Sequence, residues 1–163
     1  MKRITRRTAL AAIGTGGAGT CLCGLSGGCA TFTKKGKTPP ITATAYTVRD
    51  GILTVMLDQV PELAAAGGAV KVIDGRLPTP LIIARTGAPR YVAVSLLCPH
   101  RSAEVEYQHA EQRFRCASLG HSAFGLDGAR QRGPAKHGLT AYCAEQEGAC
   151  LSVAFGQKKP AGA

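Results

Sequence analysis

The sequence predicts an all-β domain of short antiparallel strands, and three observations predict it. The chain has 21 glycines and only 5% aromatic residues, a balance of turns and short strands rather than helices. Its β-branched runs are interrupted at short intervals by Asp-Gly pairs and prolines, the punctuation of hairpins. It has no internal repeat, and beyond its first 29 residues no apolar run reaches the 18 residues of a membrane helix. With 163 residues there is room for one domain plus a short appendage.

The elements follow in order. Tyr46-Thr-Val48 and Ile52 to Leu57 flank Asp50-Gly51 and read as a hairpin. Pro61 to Gly68 makes at most one helical turn before its two glycines stop it. Val70 to Ile73 and Leu81 to Ala84 form a second strand pair, and Tyr91 to Leu97 is a continuous strand buried on both faces. Asp127-Gly128 and Gly133-Pro134-Ala135 mark further turns. Leu139 to Cys143 and Cys150 to Phe155 pair across the segment AEQEGA. The chain therefore divides into an N-terminal segment (1–29), a basic, proline-stiffened tether (30–45), the β domain (46–157) and a tail (158–163).

The N-terminal segment is an address. A basic start precedes a mild Ala/Gly/Leu stretch and small residues, the layout of an export signal. Thr5-Arg6-Arg7-Thr8-Ala9-Leu10 resembles the twin-arginine type, which carries folded proteins across the bacterial inner membrane to the periplasmic side; a general secretory signal with a chance arginine pair is the alternative. Gly14 to Gly19 spells G-x-G-x-x-G, but no strand precedes it and no acidic residue follows at the required distance, so it is no dinucleotide site. Leu25-Ser26-Gly27-Gly28-Cys29 resembles a bacterial lipoprotein cleavage site, its leucine one place further away than usual. Cys29 is expected to be the lipidated first residue of the mature chain, with ordinary cleavage or an uncleaved apolar anchor as alternatives. Formal net charge is +10, and removing residues 1–29 still leaves 16 basic against 10 acidic residues. That surplus suits an anionic lipid surface or an acidic protein partner. The interleaved aromatic and basic residues of a nucleic-acid platform are missing.

The chemistry concentrates in Cys98 to Phe124, which holds two cysteines and three of the four histidines. Cys98 and His100 leave the same face of an extended chain with Cα atoms roughly 6.5 Å apart. That is awkward for two ligands of one tetrahedral zinc, and comfortable for two metals side by side, each taking one of the pair. Cys116 and His121 repeat the thiolate–imidazole combination on a second loop. Two cysteines on one iron and two histidines on the other make such a [2Fe–2S] site.

Here the sequence resembles the Rieske iron–sulfur proteins. Cys98-Pro99-His100 matches their first element, and 15 residues separate His100 from Cys116, within the family's spacer. Tyr91 to Leu97, Phe124-Gly-Leu-Asp-Gly128, Arg132-Gly-Pro-Ala135 and Val60 to Arg76 resemble the flanking strands and turns. The resemblance implies an antiparallel sandwich or barrel with a small cluster-binding subdomain of two loops, at about residues 96–137, and Cys98, His100, Cys116 and His121 as ligands of a [2Fe–2S] cluster. The second loop departs from the family pattern: Leu119 stands where a histidine is usual, and His121 comes two residues later. The extra residues are expected to bulge and return His121 to the iron; an empty fold and a zinc site are the alternatives. The cysteine pair that clips the loops in quinol-oxidising members is absent, Ala103 holding its first position. Cys143 and Cys150 are expected to cross-link the last hairpin instead. Ser122 is displaced from the family's sulfur-facing serine and the accompanying tyrosine is not evident, so a comparatively low potential is expected. His109 reads as a solvated turn residue and His137 as a surface residue near the rim. Glu104, Glu106 and Glu111, alternating with Arg113 and Arg115, read as a salt-bridged hairpin surface.

The resemblance implies electron transfer outside the inner membrane. The chain is expected to be the small subunit of a membrane-associated oxidoreductase, passing electrons to or from a cytochrome or larger subunit rather than acting as a catalyst itself. A cluster-less, lipid-anchored docking subunit is the other reading. No room remains for the mononuclear-iron domain of a Rieske-type oxygenase.

Overall fold

The computed structural model of the chain describes residues 34–158. The expected export signal, Cys29, the first residues of the tether and the end of the tail lie outside the described residues. Eleven strands form two antiparallel sheets. The larger holds β1 (Tyr46–Arg49), β2 (Ile52–Met56), β3 (Ala69–Val72), β4 (Leu81–Arg85), β5 (Tyr91–Ser95), β10 (Ala141–Glu147) and β11 (Cys150–Lys158) in the order β1-β2-β11-β10-β5-β4-β3. The smaller holds β6 (Val105–Gln108), β7 (Arg113–Cys116), β8 (Ala123–Phe124) and β9 (Arg130–Arg132) in chain order. The all-β expectation holds. Among the described residues the only helical segments are three single 3-10 turns, one of them Pro61–Leu63 where one turn was predicted. None is long and apolar enough to cross a membrane.

The predicted hairpins form for the predicted reasons. Asp50 and Gly51 take φ of 48° and 75°, both left-handed, as a tight two-residue turn between right-twisted strands requires. Strands β4 and β5 explain the smaller sheet's position. Their apolar runs alternate faces at period two, so Leu81, Ile83, Tyr91 and Ala93 enter one core with Leu53, Val55, Leu151 and Val153. Ile82, Ala84, Val92 and Val94 enter a second core with Phe114, Phe124, Cys98 and Cys116. A strand pair apolar on both faces is covered on both. The smaller sheet is its second cover, and its thiols are part of that packing.

Two expectations change. Residues 34–45 are docked on the domain. Pro40 bridges Lys71 in parallel, Lys71 N–H donates to Pro39 O and Ile41 N–H to Lys71 O, both at 2.9 Å. This strap adds a short edge to β3, and Ala45 is buried beyond it. The second change concerns the last hairpin. Strands β10 and β11 run through AEQEGA, leaving only Gly148, at φ 56°, and Ala149 between them. Cys150 therefore faces Glu147, while Cys143 faces Ala154. Four residues of slippage separate the two thiols by roughly 13 Å along the strands, beyond disulfide reach. The Cys143–Cys150 cross-link is not made, and both cysteines are free and half-buried.

Asp74, in the β3–β4 turn, accepts from the Tyr46 hydroxyl at 2.9 Å and from Arg76 at 2.7 and 3.0 Å. The Arg76 hydrogen bonds hold its carboxyl below the usual carboxylate range, helped by Tyr46. A carboxyl ionising at lower pH when folded than when unfolded stabilises the fold above the unfolded value of about 4, and that support is lost as pH falls below it. Acid-induced unfolding followed by circular dichroism is expected to be shallower in Asp74→Asn, with the two proteins differing most near neutral pH.

Candidate metal centre

The 15-residue spacer is a return hairpin. Strands β6 and β7 pair with Val105 opposite Cys116 and Gln108 opposite Arg113, so the chain leaves the first loop and comes back beside it. The first loop is a tight turn: Cys98 N–H donates to Ala103 O and Ser102 N–H to Cys98 O, both at 2.8 Å, with Ser102 at φ 52°. The second closes by Cys116 N–H to Ser122 O at 2.8 Å, with an inner turn from His121 N–H to Ser118 O at 2.9 Å. A third segment supports them. Gly133, at φ 92°, lies so close that a Cβ there would sit 2.5 Å from Ser122 Cα, and a Cβ on Gly120 would sit 2.6 Å from Pro134. Neither position has room for a side chain.

The two thiols meet in the interior. Cys98 and Cys116 are fully buried in the same apolar cluster. Burial pushes the Cys98 thiol up; the His100 amide pulls it back, the Cys116 thiol adds to the rise, and the Ser122 hydroxyl opposes it. Ser118 Oγ lies 3.1 Å from Cys116 Sγ. The Cys116 sulfur thus has a serine hydroxyl. Ser122, read from the sequence as displaced, is fully buried and accepts from Ala135 N–H at 3.0 Å. Beside the thiols, His100 is half-buried with Nδ1 sealed from solvent and without a protein hydrogen-bond partner. A buried ring nitrogen with no partner is unusual in a satisfied structure and suits a metal ligand.

The fourth predicted ligand is placed differently. His121 is exposed at φ 43°, with Nδ1 turned to the Cys116 carbonyl at 3.4 Å. Leu119, at the usual histidine position, is 88% exposed at the loop's tip. Among the described residues no three His, Cys, Asp or Glu side chains converge on one metal-sized point. Cys98, His100 and Cys116, donor types that a [2Fe–2S] group takes, lie at this centre, and His121 does not join them in this arrangement. His109 is exposed and 3.0 Å from the Tyr107 hydroxyl, a surface contact, and His137 is exposed.

The family follows from a match of the Rieske [2Fe-2S] domain model to residues 54–143, more than half the chain and including both loops. The chain belongs to the Rieske [2Fe–2S] domain family. Membership brings the [2Fe–2S] cluster as cofactor and electron transfer as function class. Two solved structures share the fold. The Rieske ferredoxin-containing complex of reduced oxygenase and oxidised ferredoxin in carbazole 1,9a-dioxygenase superposes with a TM-score of 0.56 at 22% identity, over 69% of this chain and 99% of that one. The ferredoxin of carbazole 1,9a-dioxygenase from Nocardioides aromaticivorans gives 0.51 at 22% identity, over 62% and 93%. No curated protein sequence matches the chain.

Sequence reasoning missed how this Rieske domain holds its loops together. Glu104 was read as hairpin surface, but it is buried and joined to three other segments. Its Oε2 accepts from Lys71 Nζ of β3 at 2.8 Å and from Gly36 N–H of the strap at 2.7 Å. Its N–H donates to Lys34 O at 3.1 Å, and its carbonyl accepts Ala117 N–H, beside Cys116, at 2.9 Å. The nearest signal was a lone Lys71 in an otherwise apolar strand. Removing one member of a buried pair strands the other, at a cost of roughly 3–5 kcal/mol. Glu104→Ala is expected to lose about that much unfolding free energy in denaturant melts. Lys71→Met/Glu104→Leu is expected to recover most of it, while trypsin still cuts faster at the released lysines 34–37.

Proposed function

We propose that this Rieske protein is exported by the twin-arginine route and works on the periplasmic side of the membrane, held there by its N-terminus, lipidated at Cys29. There it serves as the small, electron-carrying subunit of a membrane-associated oxidoreductase, exchanging electrons with a cytochrome or larger redox subunit. The observation that carries the electron-transfer part is the pair of buried thiols, one with a serine hydroxyl at 3.1 Å, beside the unpartnered ring nitrogen of His100. The twin arginines and the lipobox-like Cys29 support the location, since that route suits a protein that receives its cofactor before translocation.

Cys98 and Cys116 would hold one iron, with His100 and His121 on the other. The cluster supplies one-electron chemistry at a potential raised by its neutral imidazoles, in a range of roughly −150 to +300 mV. The protein's part is to keep the sulfurs dry, to set the Ser118 hydroxyl against the Cys116 sulfur, and to place His100 at the edge, where a partner can approach. Hydrogen bonds of this kind raise the potential further. For His121 to bind, its ring must turn from the Cys116 carbonyl toward His100. Its outward placement, with Leu119 at the usual position, favours the second reading, a cluster-less docking subunit.

The reduced protein, purified from the exported fraction, is expected to give the rhombic paramagnetic resonance signal of a Rieske cluster. His121→Ala is expected to abolish that signal and the bound iron, while His109→Ala leaves both unchanged. A colourless, iron-free wild type would decide for the docking subunit. Intact mass of the exported chain tests lipidation at Cys29.

A further inference from the structure

The strap does more than close an edge of the sheet: it fixes where the chain enters the domain. Pro39 and Ile41 are bonded to Lys71, Lys37 N–H donates to the Glu106 carboxylate, Gly36 N–H donates to Glu104, and Lys34 O accepts from Glu104. Followed toward the N-terminus, these contacts lead to the cluster loops. Lys34 reaches a shallow depression of about 440 Å³ lined also by His100, Arg101, Ser118, Leu119 and Gly120. The point of entry and the redox tip are the same place.

That depression has a defined surface chemistry. Leu119 projects from it, 88% exposed, and Lys34 and Arg101 flank it, both exposed. No carboxylate lines it. The strap adds exposed Lys35 and Lys37 nearby, and its two neighbouring acids are engaged, Glu104 by Lys71 and Glu106 by the Lys37 amide. An apolar side chain among unpaired cations suits the boundary of an anionic bilayer, where the apolar group enters the headgroup layer and the cations meet lipid phosphates. The chain length limits the alternatives. Four residues separate Cys29 from Lys34, and the steps between them reach roughly 17 Å at full extension.

We propose that the cluster tip of this protein rests on an anionic membrane surface, with Leu119 as the apolar contact and Lys34 and Arg101 as the lipid-facing cations. The proposal rests on the reading that the chain is attached to the membrane ahead of Lys34. In this orientation the redox edge opens toward the membrane plane, and its electron partner must be reached there.

The chain contains no tryptophan, so one introduced residue reports its own surroundings. Leu119→Trp places it at the tip. Glu147→Trp places it at the exposed last residue of β10, at the opposite end of the sheet, because β10 runs antiparallel to β5, which leads to Cys98. Full-length protein is mixed with vesicles of phosphatidylcholine containing about one-third phosphatidylglycerol, or of phosphatidylcholine alone. The expected result is a blue shift of Leu119→Trp with anionic vesicles, reversed by salt, and no shift of Glu147→Trp. Adding Lys34→Gln or Arg101→Gln should raise the lipid concentration at half-shift by about fivefold each. A shift at both positions, at neither, or at residue 147 alone overturns the proposal; a tip that binds only an acidic protein belongs with those results. Intact mass of the exported chain separates this from the attachment reading. A lipidated chain without the Leu119→Trp shift sinks the tip proposal alone, and a shift in a chain with no lipid sinks lipidation at Cys29 alone.

Discussion

The buried ion pair between Lys71 and Glu104 is the constraint on which the rest of the arrangement depends. A lysine in the middle of β3 is tolerable only with a carboxylate in hydrogen-bond contact, because an unpaired buried charge is far costlier than the pair. That requirement brings the stem of the first loop against the larger sheet. Once Glu104 is there, its backbone carbonyl fixes Ala117 and its amide and second hydrogen bond fix the strap. The relation of the two loops, and hence of Cys98 to Cys116, follows from one residue's partners. The covalent clip expected of quinol-oxidising members is missing, and charge takes over its place: Ala103, where the first clip cysteine would be, is immediately followed by Glu104.

Much of the fold was legible in the sequence, and the reason is periodicity. Strands such as Tyr91 to Ser95 are apolar on both faces, and Asp50-Gly51 has only one tight turn available to it. The Cys-x-His element and its 15-residue spacer were legible because a return hairpin has a fixed length. What escaped was long-range. Nothing near Glu104 in sequence announces Lys71, 33 residues away, or Gly36, 68 residues away. Basic and proline-rich composition described a tether, yet backbone hydrogen bonds to β3, which any residue can make, turned it into a strap. Cys143 and Cys150 had a plausible loop length between them, but register, which the sequence left open, put them on different rungs.

The second loop shows a different limit. Counting residues from Cys116 displaced both His121 and Ser122 from their family places. In three dimensions the two part ways, because the turn from Ser118 to His121 lies inside the Cys116–Ser122 closure. Ser122, at the closure, is fully buried, while the imidazole is carried outward. The two residues differ in what holds them: Ser122 is clamped under Gly133 and bonded to Ala135, whereas His121 has one long contact to a carbonyl.

A brace made of charge has a property that a covalent clip lacks: it needs no oxidant. Loops clipped by cysteine pairs reach their final shape only where thiols are oxidised, whereas Lys71 and Glu104 find each other as soon as the chain collapses. The thiols of Cys98 and Cys116 can then be brought together under reducing conditions, with no other thiol in the two loops to compete for them. A scaffold set by ionic and hydrogen-bond contacts alone takes the same shape in a reducing medium as in an oxidising one.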